Sequence, residues 1–208
     1  MANLNAPSGA SPVAYSNGNP WNGQARIYTI LAADTHAYAI GDFVKSYAGA
    51  DANGLPAVTL ATAGSAVRGV IVALSSAIPM GGVLQGGPYI APNDLTVLKR
   101  PAAAQTTNWY AAVVDDPNVI FEIQDVNSGT PVALTNMNKN ANFVYAAPAA
   151  GSNLSGTTLD NSTVNTTSTL NLRILGAAQR TDNTPATAAQ RLLVLINNHE
   201  FRAGVAGV

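Results

Sequence analysis

The chain has 208 residues, enough for one sizeable core or two small ones, and a formal net charge of −1 from ten Lys plus Arg and eleven Asp plus Glu. Charged residues are 10% and apolar residues 47%, which excludes wholesale disorder, a state that needs high net charge and low hydrophobicity. The cations are scattered, with Lys99-Arg100 the only adjacent basic pair, which argues against a nucleic-acid groove; cysteine is absent, which excludes disulfides and thiolate metal sites.

So little charge offers weak electrostatic resistance to association. The composition fits a β-protein with an uncharged surface of Asn, Thr and Ser, and fits equally a surface shaped to lie against a partner. The opening MANLNAPSGASP is polar and turn-rich, so no secretion leader is expected. The apolar runs are short and broken by Gly or Pro, so no membrane partner is expected either. The lack of cysteine fits synthesis in a reducing bacterial cytoplasm.

Residues 1–24 are rich in Asn, Pro, Gly, Ser and Ala and read as an extended N-terminal arm. Trp21, with Val13 and Tyr15, does not suit a plain tether; the arm is either loosely tethered or laid on a neighbouring subunit with Trp21 as anchor. From residue 25 to 105 the pattern predicts a β-subdomain. Strands are expected at residues 26–31, 41–47, 57–61 and 66–74, the last with a bulge at Gly69. A further strand is expected at residues 95–99. The glycine-rich stretch at residues 81–88, GGVLQGGP, lacks the Gly-Lys-Ser/Thr ending of a phosphate loop and reads as an ordinary loop.

A second β-subdomain is expected over residues 106–200. It opens on AAVVDDPNVIFEIQ, residues 111–124, where Asp115-Asp116-Pro117-Asn118 is turn chemistry between two apolar runs. This predicts a β-hairpin. Residues 143–145, 169–176 and 191–197 read as strands, the middle one alternating strictly. At residues 185–195 the residue types allow a helix, but a short helical turn before the last strand is the preferred reading. Residues 146–169 are of low complexity and hold three Asn-x-Ser/Thr patterns, which are discounted without a leader. The C-terminal tail, residues 201–208, is apolar and glycine-rich, either frayed or a second anchoring arm.

No constellation of residues predicts catalysis, a cofactor or a metal. His36 and His199 each stand alone, without a partner at metal-ligand spacing. Asp115 and Asp116, with Glu122 and Asp125 across the expected hairpin, are candidates for paired carboxylates or calcium ligands, but neighbours within a turn usually point apart. The site assignment therefore falls on association: Tyr15, Trp21, Phe201 and Val205 are the expected inter-subunit anchors, being aromatic or apolar residues in termini that otherwise lack a core.

Three stretches carry a resemblance: DPNVIFEIQ at residues 116–124, Leu159-Asp160 through TLNLRILG at residues 169–176, and LVLINNH at residues 193–199. In these the C-terminal half resembles the head-decoration, or cement, proteins of tailed-bacteriophage virions. The resemblance implies a non-enzymatic all-β protein on the capsid exterior that binds the major capsid protein and bridges its subunits. It also implies self-association, a homotrimer in preference to a dimer. The expected architecture is one or two small β-barrel or sandwich subdomains with extended arms. The alternative is a tail, neck or fibre component, or a carbohydrate-binding virion domain, for which Gln105, Asn108, Trp109 and Tyr110 are the candidate groove residues.

Overall fold

The computed structural model describes residues 3–76, 99–204 and 206–207. Val205, the glycine-rich stretch at residues 81–88 and most of the strand expected at residues 95–99 lie outside the described residues. The strands in chain order are β1 (Ser11–Tyr15), β2 (Arg26–Ile30), β3 (Tyr38–Ala39), β4 (Phe43–Ala50), β5 (Pro56–Leu60), β6 (Gly69–Ser75), β7 (Lys99–Arg100), β8 (Trp109–Val114), β9 (Val119–Gln124), β10 (Asn140–Val144), β11 (Thr158–Asn165), β12 (Leu172–Ala177) and β13 (Arg191–Ile196). Apart from these, the described residues contain one 3-10 turn at Leu134–Asn136. The protein is all-β.

The strands form two principal units. β2-β5-β4-β6-β8 close a barrel, and β1-β9-β13-β12-β10-β11 form a six-stranded antiparallel sheet, with β3 and β7 paired beside them. The barrel encloses Ile30, Tyr38, Val44, Val58, Ile71 and Val113. A second cluster joins the units: Phe43, Val70 and Val114 of the barrel pack with Phe121, Ile123, Phe143, Leu172, Ile174 and Val194 of the sheet. Phe43 and Phe143 stack across this joint, ring centres 4.5 Å apart and 22° between planes, a contact worth about 1 kcal/mol beyond the area it buries.

The hairpin expected at residues 111–124 is not formed. β8 pairs with β2 and β6, and β9 pairs with β1 and β13. Residues 115–118 are instead the corner where the chain leaves the barrel and enters the sheet. Alternation identifies a strand and one buried face; it carries no information on which strand lies beside it. β8 is buried along its whole length, which is why it reads WYAAVV with small residues interleaved. It belongs to the barrel, so the boundary expected after residue 105 falls at this corner.

The N-terminal segment is laid on its own chain. β1 is an edge strand of the sheet, in register from Ser11 opposite Glu122 to Tyr15 opposite Val119, with an irregularity between Pro12 and Ala14. Pro lacks an amide donor and is tolerated at such an edge. Trp21 N–H donates to Val13 O at 3.2 Å and Tyr15 N–H to Asn19 O at 2.8 Å, folding residues 16–21 over the outer side of β1. Further upstream the chain crosses the barrel where Gly9 and Gly41 meet. Both have positive φ, 68° and 96°, and Ala10 N–H donates to Gly41 O at 2.9 Å. A side chain on Gly41 would place its Cβ 2.9 Å from Gly9 Cα, so only glycine permits the crossing.

Other expectations shift in position. Gly69 marks a close approach rather than a bulge: an added Cβ would meet Val113 Cγ1 at 2.8 Å, and the register irregularity of this pair lies between Ile71 and Ala73. The low-complexity stretch supplies β11, an edge strand tied back to the end of β9 by Val126 N–H donating to Leu159 O at 2.9 Å. Residues 185–190 form no helix; Ala186 and Ala189 have φ of 56° and 58°, and β13 begins at Arg191.

Candidate functional site

The corner at residues 115–118 places one carboxylate in the joint. Asp115 is buried and accepts from Tyr28 Oη at 2.6 Å and Arg26 Nη1 at 3.1 Å, both carried on the adjoining barrel strand β2. Burial, with donation to Asp115, pushes the Tyr28 phenol up to about 12, and the Asp115 charge raises the Arg26 guanidinium. Asp116 turns the other way, and its Oδ1 accepts from Asn118 N–H at 2.8 Å, the Asx-turn bond expected of this sequence. The N-terminal strand is fixed to the same corner, Ser16 N–H donating to Asn118 O at 2.8 Å.

Around the corner opens a cavity of about 320 Å³, lined by Tyr15, Gln24, Ala25, Arg26, Asp115, Asp116, Pro117 and Phe201. Two of the expected anchors, Tyr15 and Phe201, therefore share one cavity although 186 positions separate them (201 − 15). Tyr15 packs against the sheet core and donates to Asn22 Oδ1 at 2.7 Å, while Phe201 is half exposed. Trp21 is not in the cavity; it packs against the same core and donates Nε1–H to Gln24 O at 3.3 Å.

The far wall is built by the C-terminal segment. Val67 N–H donates to Asn198 O at 2.8 Å and Glu200 N–H to Val67 O at 3.0 Å, which pairs residues 198–200 with the barrel. The Glu200 carboxylate then accepts from Ser46 N–H, Ser46 Oγ and Arg68 Nε, each at 2.6 Å. The Arg68 guanidinium lies 4.2 Å from the centre of the Phe201 ring and holds it in place. His199 is buried beside it, its Nδ1 accepting from Phe201 N–H at 3.0 Å. Burial, and then the nearby Arg202 charge, lower the imidazole to about 4.

The candidate carboxylates do not converge. Glu122 pairs with Arg180 at 2.8 Å, and Asp125 is buried, accepting from Gln190 Nε2 at 3.1 Å and Val132 N–H at 3.2 Å. His36 pairs with Asp34 at 2.7 Å, far in the chain from these. Among the described residues no three His, Asp or Glu side chains gather to hold a metal ion. The groove residues considered for sugar binding are arranged otherwise as well. Trp109 is buried in the barrel, whereas Tyr110 packs with Ile27, Leu55 and Ala112 and shares with Asn108 the lining of a cavity of about 440 Å³; Asn108 Oδ1 accepts from Ala32 N–H at 2.9 Å.

The arginines are engaged within the chain, although Arg26 and Arg180 stay exposed. All seven arginines of the chain donate to the chain itself. Arg191 holds the N-terminal segment through Ser8 Oγ and Ala6 O, and Arg173 holds the C-terminal one through Ala206 O. Arg26, Arg68, Arg173, Arg191 and Glu200 were missed in the sequence because each acts on a partner far away in the chain; no local spacing announces them.

No protein-family model, curated protein or solved structure matches this chain.

Proposed function

We propose that this protein is a virion structural protein that coats the outer surface of a tailed-bacteriophage capsid and stabilises it by bridging major capsid protein subunits. The observation that carries the reading is that all seven arginines are engaged by partners within the chain. With charged residues only 10% of the chain, the surface offered to a partner is sparse in charge, as interface centres are. The three stretches in the C-terminal half that resemble capsid cement proteins point the same way.

In this reading the cavity shared by Tyr15 and Phe201 receives the capsid protein, with a half-exposed aromatic at its rim as the anchor. Self-association into a trimer repeats the contact around a symmetry axis, so that individually weak contacts act together over the shell. The protein is made in the host cytoplasm and resides on the virion exterior.

The test is binding to emptied, expanded phage heads, with unexpanded heads as the control, followed by sedimentation. Saturable binding at a fixed ratio per capsid subunit, with raised heat resistance of the shell, is the expected result. A stable free oligomer that binds neither head form would overturn the proposal and favour a tail or fibre position.

A further inference from the structure

A second cavity, about 250 Å³, shares no residue with the first and lies against the barrel. Its apolar side is made by Leu31 and the buried Val58, and Tyr47, 55% exposed, stands at its rim. Thr35 and His36 supply the polar side, with His36 itself 56% exposed. Beneath them Asp34 takes four donors: His36 N–H at 2.8 Å and Nδ1 at 2.7 Å on one oxygen, Tyr38 Oη at 2.5 Å and Thr59 Oγ1 at 2.9 Å on the other. That set uses the lone pairs of the carboxylate, so Asp34 acts as a positioning residue. With Nδ1–H given to Asp34, Nε2 is the imidazole nitrogen open to a ligand.

The loop is also held from below. Arg100, fully buried, donates to the backbone carbonyls of His36 (2.6 Å) and Asp34 and lies over the Tyr38 ring. A buried guanidinium is costly unless its hydrogen bonds are made. Here Nη1 and Nη2 donate to the two residues that orient the imidazole, so the buried group fixes this loop. Nothing in the joint between barrel and sheet uses it.

An apolar floor, one open aromatic ring and a fixed imidazole edge match a molecule with one C–H face and a rim of hydroxyls. The volume lies below the roughly 300 Å³ at which drug-sized pockets begin, and suits a single small ring. Among the described residues no Lys or Arg lines the cavity to take a phosphate or carboxylate. We propose that this cavity binds an uncharged sugar ring, stacked on Tyr47 and hydrogen-bonded to His36 Nε2. The proposal goes beyond the capsid reading and does not depend on it.

The test is saturation-transfer NMR on the full chain with the methyl glycosides of glucose, galactose, mannose and N-acetylglucosamine, and adenosine alongside. Saturable binding of at least one glycoside is expected, with a dissociation constant of about 1 mM, the scale for a ligand of so few atoms. Tyr47→Ala and His36→Ala should each weaken it about tenfold, and Tyr47→Phe should retain it. Both side chains are more than half exposed, so the variants are expected to fold. Absence of transfer from every glycoside, binding that both alanine variants keep, or adenosine binding tighter than any glycoside would each overturn the assignment. His36→Ala should leave binding to phage heads unchanged, so the two proposals fail separately.

Discussion

Asp42 of the barrel and Ser155 of the sheet's connecting segment are joined directly, the Ser155 hydroxyl donating to Asp42 Oδ1 at 2.5 Å in a fully buried site. Thr157 Oγ1 adds a second donor at 3.2 Å and Ala39 N–H a third, to Oδ2, at 2.8 Å. The two β-units are thus locked by a carboxylate as well as by the Phe43–Phe143 stack.

Burial outweighs these donors and pushes the Asp42 carboxyl up to about 6. A carboxyl whose folded pKa exceeds its unfolded one binds more protons when folded, so ionising it costs stability as pH rises from about 4 to 6. Asp42→Asn removes that dependence. Urea unfolding of the two proteins across this range should show their stability difference changing by about 2–3 kcal/mol. Parallel curves would mean that Asp42 is not carrying the ionisation cost.

His199 works in the opposite direction. Its imidazole is lowered to about 4 by burial and by Arg202, below the ordinary 6.5. The unfolded chain therefore binds the proton first, and stability is lost as pH falls from about 6.5 toward 4. His199→Asn keeps an acceptor, Oδ1 in the place of Nδ1, for Phe201 N–H and removes the titration. The variant should lose less stability than the parent on acidification to about pH 4.5, and an equal loss in both would count against this assignment.

Glu200 closes the opening between β4 and the C-terminal segment by accepting from both Ser46 and Arg68. Arg68 and Glu200 side chains are only 18% and 16% exposed, so the pair is better shielded than a surface ion pair. Glu200→Gln should cost about 1–2 kcal/mol, because a carboxylate with three donors is replaced by a neutral amide. A double-mutant cycle with Arg68→Ala should give a coupling of about 1 kcal/mol. Faster hydrogen exchange at the Ser46 amide is the local readout, and additive effects without it would sink the idea of a lock.

β4 and β12 were legible from apolar alternation, and β2, β5, β6 and β13 from short apolar or β-branched runs bounded by turn residues. β1 and β11 were not, because an edge strand has one partner and can be built from Pro, Ser, Asn and Thr. The partners of β8 and β9 were hidden for another reason: sheet pairing here joins residues far apart in the chain, and a turn sequence serves a corner as well as a hairpin. At the site, Tyr15 and Phe201 could be suspected as aromatics in polar termini. Their meeting at one cavity could not, since it depends on β1 joining the sheet and on residues 198–200 pairing with Val67. Arg68 and Glu200 are 132 positions apart and carry no shared pattern.

Separating docking from folding is the last requirement for testing the capsid reading. Deleting residues 1–24 removes β1 and bares the edge of β9, whose Val119, Phe121 and Ile123 belong to the core, so that protein is expected to aggregate. Its failure to bind heads would then say nothing about anchoring. Phe201→Ala is the informative change. The ring is half exposed and its main fixed contact is the Arg68 guanidinium, so the loss in stability should stay near 1 kcal/mol. If Phe201 is the anchor, the variant should keep a Tm within about 2–4 °C of the parent while its affinity for expanded heads falls about tenfold or more. Tyr15→Ala, at the same cavity, should act in the same direction. Undiminished head binding by both variants, with both folded, would remove this cavity from the capsid contact.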